Sequence, residues 1–425
     1  MPKPQTFKKN RQFWKFCAYG FLKNLRFFEP FLLLFFLEKG VSYWQIGTLY
    51  AVREVAINLM EIPSGFLADT FGRRRTMILA FLFYIVSFFI FYAAEAYGFL
   101  LLAMVFYAMG DAFRSGVHKA MIFTYLQIQG WSDQKVHYYG HTRAWSQRGS
   151  ALSSLLAAVV VVWSRNYTSV FLLSIIPYLL DMALIWSYPK NLDGAETSWK
   201  NRQAIRARFR TIWRAFIMTF RHRSILRAVN NVSLSSAFFK AVKDYLQPIL
   251  QTLALSLPFL TALSEKSRSA ILIGIAYFII FLLTASASQS AGRIADRFVE
   301  LRAPINWTMA ACLLIGMGSG MAYQMELIVP AVLLYIGVFV IENLRKPMGT
   351  AFIADQVQED ILASALSAQS QIKTIWSAVI ALGLGAAVEV FGIAIGLAVI
   401  SCVLLLVLPL VWIRQKDQKV LRVGH

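Results

Sequence analysis

Gly65-Phe66-Leu67-Ala68-Asp69-Thr70-Phe71 reads G-x-x-A-D-x-F, and so does Gly292-Arg293-Ile294-Ala295-Asp296-Arg297-Phe298. The copies keep a constant offset of 227 positions, from 65 to 292 and from 69 to 296, a little over half of the 425-residue chain. Each lies where one apolar stretch ends and the next is about to begin. A motif duplicated in this way in a hydrophobic chain predicts two similar helical bundles in a membrane.

Composition points the same way. Hydrophobic residues make up 58% of the chain and charged residues 15%, with a mean hydropathy of +0.56. Globular domains carry about 45–50% apolar and about 25% charged residues, so part of the apolar surface here must face lipid. The 33 Phe and 11 Trp suit lipid-facing and interfacial positions.

The net charge of +20 does not indicate nucleic acid, because the basic residues gather in alternate connecting segments. One set runs from Lys3, Lys8, Lys9 and Arg11 through Arg73, Arg74 and Arg75, then Arg202 to Arg223, Arg293, Arg297 and finally Arg414 to Arg422. The intervening connections hold little beyond Lys39, Arg165, Lys266 and Arg268. This asymmetry predicts cytoplasmic termini and a cytoplasmic central loop.

Spanning helices need about 20 mostly apolar residues. On that basis twelve spans are expected near 14–37, 43–67, 75–96, 98–126, 142–163, 168–188, 225–256, 269–291, 303–323, 327–352, 370–391 and 393–413. The expected organisation is an N-terminal six-helix bundle over 1–188, a cytoplasmic linker over 189–223 and a C-terminal six-helix bundle over 224–425. In the linker, Ile205, Phe209, Ile212, Trp213 and Phe216 could form one side of an amphipathic surface helix. The repeat also reaches inside the spans: Asp111 and Arg114 recur as Glu342 and Arg345 at an offset of 231.

The run Gly65-Phe66-Leu67-Ala68-Asp69-Thr70-Phe71-Gly72-Arg73-Arg74-Arg75 resembles the loop between spans two and three of the major facilitator superfamily, G-x-L-a-D-r-x-G-r-k/r. Twelve spans, a central loop and a weaker second copy extend the resemblance over essentially the whole chain. Thr70 departs from the pattern, and the second copy lacks the glycine and arginines that follow the first. The resemblance implies an all-α membrane protein of two pseudo-symmetric bundles and a gating latch formed by Gly65, Asp69, Gly72 and Arg73, with Gly292 and Asp296 in the second copy. It also implies that spans one, four, seven and ten line a central cavity.

Ionisable residues at bilayer depth are costly and mark candidate sites. The expected spans place Arg26, Glu29, Arg53, Glu54, Asp111, Arg114, Lys240, Lys243, Asp244, Glu342, Arg345 and Lys346 there. Arg26/Glu29, Asp111/Arg114 and Glu342/Arg345 have i,i+3 spacing, while Lys240/Asp244 and Glu342/Lys346 have i,i+4 spacing. Such pairs share a helix face and could neutralise each other or bond across the bundle to hold one conformation. Seven bases against five acids leave a positive surplus, which predicts a polar, anionic or zwitterionic solute, with arginine suited to carboxylate or phosphate. Glu29 and Asp111 are the acids expected to carry protons. Lys23, His118, Lys119, Arg148 and Lys373 are expected to line the vestibule at the cytoplasmic mouth.

Other chemistries find no support in the residues. His137 and His141 lack clustered acidic or cysteine partners for a metal, and the dispersed Cys17, Cys312 and Cys402 do not suggest a disulfide framework. Asn166-Tyr167-Thr168 is a glycosylation sequon only in a secretory host. No Walker-type phosphate loop and no catalytic constellation is present in the sequence. The expectation is therefore a monomeric, proton-coupled secondary transporter working by alternating access in the bacterial inner (plasma) membrane, with no enzymatic activity, cofactor, metal or nucleic-acid partner. A multidrug efflux pump would show an apolar cavity with one or two acids. A non-transporting receptor on a transporter fold would show large extramembrane domains.

Overall fold

The computed structural model describes residues 8–193, 223–258, 261–298, 300–354 and 359–414. Among them the regular elements are helices, with no strand. The first segment opens with α1 (Arg11–Lys23) and α2 (Leu32–Glu38), followed by α3 (Tyr43–Phe71) and α4 (Arg73–Ala93). Next come α5 (Tyr97–Arg114), α6 (Val117–Ile128), α7 (Lys135–Ser164) and α8 (Ser169–Trp186). The later segments hold α9 (Arg223–Val242), α10 (Leu246–Ser256), α11 (Glu265–Ala295), α12 (Arg302–Gln324), α13 (Ile328–Ala354) and α14 (Glu359–Val411).

Among the described residues these helices group into twelve runs, consistent with the expected spans. Three of the runs are broken: α1 with α2, α5 with α6, and α9 with α10. The long α14 is two helices joined at Gly392, where φ is 78°. Large apolar side chains remain outward along the runs, with Trp163 84%, Trp186 73% and Leu406 75% exposed. Apolar surface on this scale is stable only against lipid. The chain is an all-α membrane protein.

Hydropathy foresaw the middle of each helix better than its ends. The expected span 43–67 continues to Phe71, 142–163 begins at Lys135, and 269–291 runs from Glu265 to Ala295. A backbone ladder does not stop where the bilayer does, because polar residues continue a helix in interfacial water as readily as apolar ones. The motif Gly65–Phe71 is accordingly the last two turns of α3. The turn itself is confined to Gly72, whose φ of 88° favours glycine.

Contacts resolve two compact units. One comprises Met1–Phe35, Ala56–Arg202 and Leu260–Phe281; the other comprises Phe36–Val55, Gln203–Phe259 and Leu282–His425. In the first, α4 packs on α5 and α8, and α1 packs on α7. In the second, α14 packs on α9 and α12, and α12 on α13. The expected amphipathic stretch Ile205–Phe216 lies outside the described residues.

Candidate functional site

In the first unit the polar groups collect where helices stop. Lys23 ends α1, and the Asn24 side-chain amide donates to the Gly20 carbonyl at 2.6 Å to close the last turn. Arg26 lies in the turn that follows, and Glu29 opens a one-turn 3-10 helix with Pro30. Arg26 and Glu29 therefore do not share a face of one α-helix as their i,i+3 spacing suggested, because no α-helix runs through 24–28.

The second break follows Arg114, the last residue of α5. Gly116, at φ 75°, reverses the chain before α6 begins, a conformation favouring glycine. Here the expected pair does form, with Arg114 Nη2 3.0 Å from Asp111 Oδ1. The Tyr84 hydroxyl donates to the same carboxylate oxygen and accepts from Arg114 Nε at 3.1 Å. Arginine at this position also complements the partial negative charge of the helix end.

Between α1, the α5–α6 break and α7 lies a cavity of about 130 Å³. Its wall carries Lys23, Arg114, His118, Lys119 and Arg143, with Tyr19, Tyr139, Thr142 and Ser146 between them. No acid lines it among the described residues. His118 stacks on Tyr19 at 3.6 Å, and its Nε2 lies 3.3 Å from the Tyr188 hydroxyl. Three residues expected in a vestibule, Lys23, His118 and Lys119, thus meet Arg114 in one wall. Arg148 instead lies over the ring of Trp145.

Sequence reasoning missed Arg143, which falls on the polar start of α7, and Asp181. The latter is a lone acid within the apolar helix α8, and that isolation was its available signal. Asp181 is fully buried, and neither carboxylate oxygen has a hydrogen-bond partner among the described residues.

In the second unit the charged candidates separate into three groups. Glu54 is buried and accepts from Lys240 Nζ at 2.6 Å and from Arg53 Nη2 at 3.1 Å. The α9 helix ends at Val242, so Lys243 and Asp244 belong to a 3-10 turn and sit 3.5 Å apart. The expected face-sharing of Lys240 and Asp244 is corrected by that break, because Lys240 turns to Glu54. Glu342 accepts from the Ser235 and Ser236 hydroxyls at 2.9 and 2.5 Å. Arg345 is buried and donates to the Asn231 side chain, the Asn231 carbonyl at 3.2 Å and the Ile305 carbonyl at 3.3 Å. Glu342 and Arg345 therefore do not pair as their spacing suggested, and Lys346 is exposed.

At the duplicated motif, Arg73 donates to the Thr124 hydroxyl at 2.6 Å, and Arg74 Nε meets Asp193 Oδ2 at 2.8 Å. Asp193 also accepts from the Arg74 backbone amide at 2.8 Å and packs beside Gly72. The Asp69 side chain lies outside the described residues. Gly292 is within α11, and Asp296 is exposed just beyond its end.

The sequence profile of the Major Facilitator Superfamily matches residues 16–383. The chain belongs to that superfamily. An uncharacterized MFS-type transporter, YxaM of Bacillus subtilis (strain 168), is 23% identical over 250 residues, which are 57% of this chain and 59% of that relative. The match thus spans less than two thirds of the relative's length. Among solved structures, the nucleoside transporter NupG superposes with a TM-score of 0.72 at 12% identity, covering 95% of this chain and 98% of that one. A POT family transporter in complex with 5-aminolevulinic acid gives 0.69 at 14%, covering 97% and 99%. A D-xylose-proton symporter gives 0.68 at 14%, covering 94% and 96%. At these identities the likeness is one of fold. The protein is a multi-pass membrane protein of the MFS fold.

Proposed function

We propose that this transporter moves a small polar organic solute, anionic or zwitterionic, by alternating access coupled to the proton gradient. The observation that carries the reading is the basic wall of Lys23, Arg114, Lys119, Arg143 and His118 in the first unit. Cations gathered around one cavity are balanced best by a negative charge on the ligand, and guanidinium groups offer carboxylate and phosphate a planar fork. A lipophilic drug would leave those charges unanswered, so efflux of such compounds is disfavoured.

Arg26 and Glu29 join this wall as proposed substrate contacts in the first unit. In the second unit the proposed contacts are Arg53, Glu54, Lys240, Lys243, Asp244 and Lys346. The hydrogen-bonding of Glu342 and Arg345 supports a scaffolding role for them instead. Gly65, Asp69, Gly72, Arg73, Gly292 and Asp296 are proposed to act in gating. The protein is proposed to function as a monomer in a bacterial inner membrane, with both termini and the 189–223 connector in the cytoplasm.

A thermal-shift screen of the purified protein with organic anions, amino acids and lipophilic drugs tests the reading. An organic anion or amino acid should stabilise the wild type and lose its effect in Arg114→Gln and Arg143→Gln. Stabilisation by drugs alone would overturn it.

A further inference from the structure

The cavity beside the α5–α6 break is lined by donors. Lys23, Lys119 and Arg143 on its wall form no ion pair among the described residues. Arg114 is answered by Asp111 at 3.0 Å. Three positive charges therefore border about 130 Å³, with no acid on the wall among the described residues. Lys119 and Arg143 are exposed and form the rim, while Lys23 and Arg114 are half-buried.

Two further sets of donors converge on the same space. Gly116, His118 and Lys119 line it, so the N-terminus of α6 opens there. The first amides of a helix lack partners within it, and Gly116, in the N-cap position, has no side chain to cap them. An uncapped helix start attracts anions through these amides and its partial positive charge. Tyr19 also lines the cavity; it is 4% exposed, and its hydroxyl has no hydrogen-bond partner among the described residues. A buried hydroxyl in that state is costly, and an acceptor in the cavity would satisfy it. The stack of His118 on Tyr19 at 3.6 Å joins α1 to the start of α6 at this wall.

Charge and shape together select the ligand group. A carboxylate brings one charge and two oxygens. A phosphate monoester brings about −1.5 to −2 charge at pH 7 and three strong acceptor oxygens. The donors here approach from three elements, α1, α6 and α7. A cavity of about 130 Å³ matches the liquid volume of about four waters, the scale of one phosphate group. We propose that it binds a phosphate dianion, either the free ion or the head of a small phosphate monoester. The α6 amides, the Tyr19 hydroxyl and the cations Lys23, Lys119 and Arg143 hold it. This deepens the anion reading above and rests on it.

Calorimetry on the purified full chain tests the assignment, with inorganic phosphate, methyl phosphate, succinate and acetate as probes. One of the two phosphates should bind at least about tenfold more tightly than succinate, the worth of one charge-assisted hydrogen bond, and acetate should be weakest. Tighter binding of methyl phosphate assigns the site to a monoester, and tighter binding of inorganic phosphate assigns it to the free ion. Lys119→Gln and Arg143→Gln should each weaken phosphate about tenfold, and both side chains are exposed, so folding is spared. Tyr19→Phe should weaken it by a similar factor without lowering unfolding stability, because the hydroxyl has no bond within the described residues to lose. A purely structural Tyr19 would change stability and leave affinity unaltered. Failure of both phosphates to bind, unaltered phosphate affinity in all three variants, or tighter binding of succinate would overturn the assignment. In each of those cases, an organic anion or amino acid that still stabilises the protein would keep the anion reading. Binding of drugs alone would refute both.

Discussion

Glu54→Gln is expected to destabilise the second unit far more than its near-isosteric change suggests. Glu54 is almost completely buried and serves two cations at once, Lys240 at 2.6 Å and Arg53 at 3.1 Å. A neutral amide leaves both without their carboxylate. At an effective dielectric of about 20, a pair of unit charges about 4 Å apart attracts by about 4 kcal/mol, part of which is offset by the desolvation that Glu54 no longer suffers. Removing one partner of a buried pair costs about 3–5 kcal/mol, and that is the expected loss here. Lys240→Met should cost less, about 1–2 kcal/mol, because the Lys240 side chain is 30% exposed and water already screens it. The double variant should be more stable than the sum of the singles predicts, since the stranded ammonium leaves with the carboxylate. Reversible chemical unfolding in mixed micelles of wild type, both singles and the double completes the cycle. Additivity within about 0.5 kcal/mol would refute the reasoning and show that the two groups do not interact energetically.

Arg345→Leu should lower unfolding stability, because the Asn231 and Ile305 oxygens lose their buried donor at about 1–3 kcal/mol each. The folded fraction should keep its ligand affinity, and a selective loss of ligand binding by calorimetry would contradict the scaffolding role. Asp193→Asn should loosen the turn at Gly72 by removing the ionic contact to Arg74, costing about 1–2 kcal/mol and speeding amide exchange at 72–76. Unchanged exchange there would count against the clasp. Gly116→Val should strain the α5–α6 break, where φ is 75°, by about 1–2 kcal/mol. Equal unfolding stability of the variant and the wild type would disprove that strain. In a Cys402→Ser background, Lys190→Cys should resist an impermeant thiol reagent in intact cells while Arg165→Cys reacts, and the reverse pattern would invert the proposed topology.

The sequence by itself determined the fold class. Composition required lipid, the duplicated G-x-x-A-D-x-F marked an internal repeat, and runs of apolar residues marked the spans. These signals are local in the chain, so they survive without coordinates. Gly72 falls between the expected spans 43–67 and 75–96, and Gly392 between 370–391 and 393–413, where the chain must reverse in a way that glycine permits. The pairing of charges was legible only in part: spacing found Asp111 with Arg114. Spacing on an uninterrupted helix also joined Lys240 to Asp244 and Glu342 to Arg345, but each side chain's partner depends on where helices break and which helix packs alongside.

Asp111 and Glu342 occupy equivalent repeat positions and yet differ in this way. One lies at a helix end beside Tyr84 and Arg114, while the other lies within an unbroken helix facing Ser235 and Ser236. Asp181 lies at the same limit. In the sequence it is one acid in an apolar run, and only the packing of α1, α4 and α7 on α8 leaves its oxygens without donors among the described residues. Hydropathy is a property of each residue with its solvent and can be read along the chain. Electrostatic partnership is a property of pairs distant in sequence, and the tertiary structure decides it.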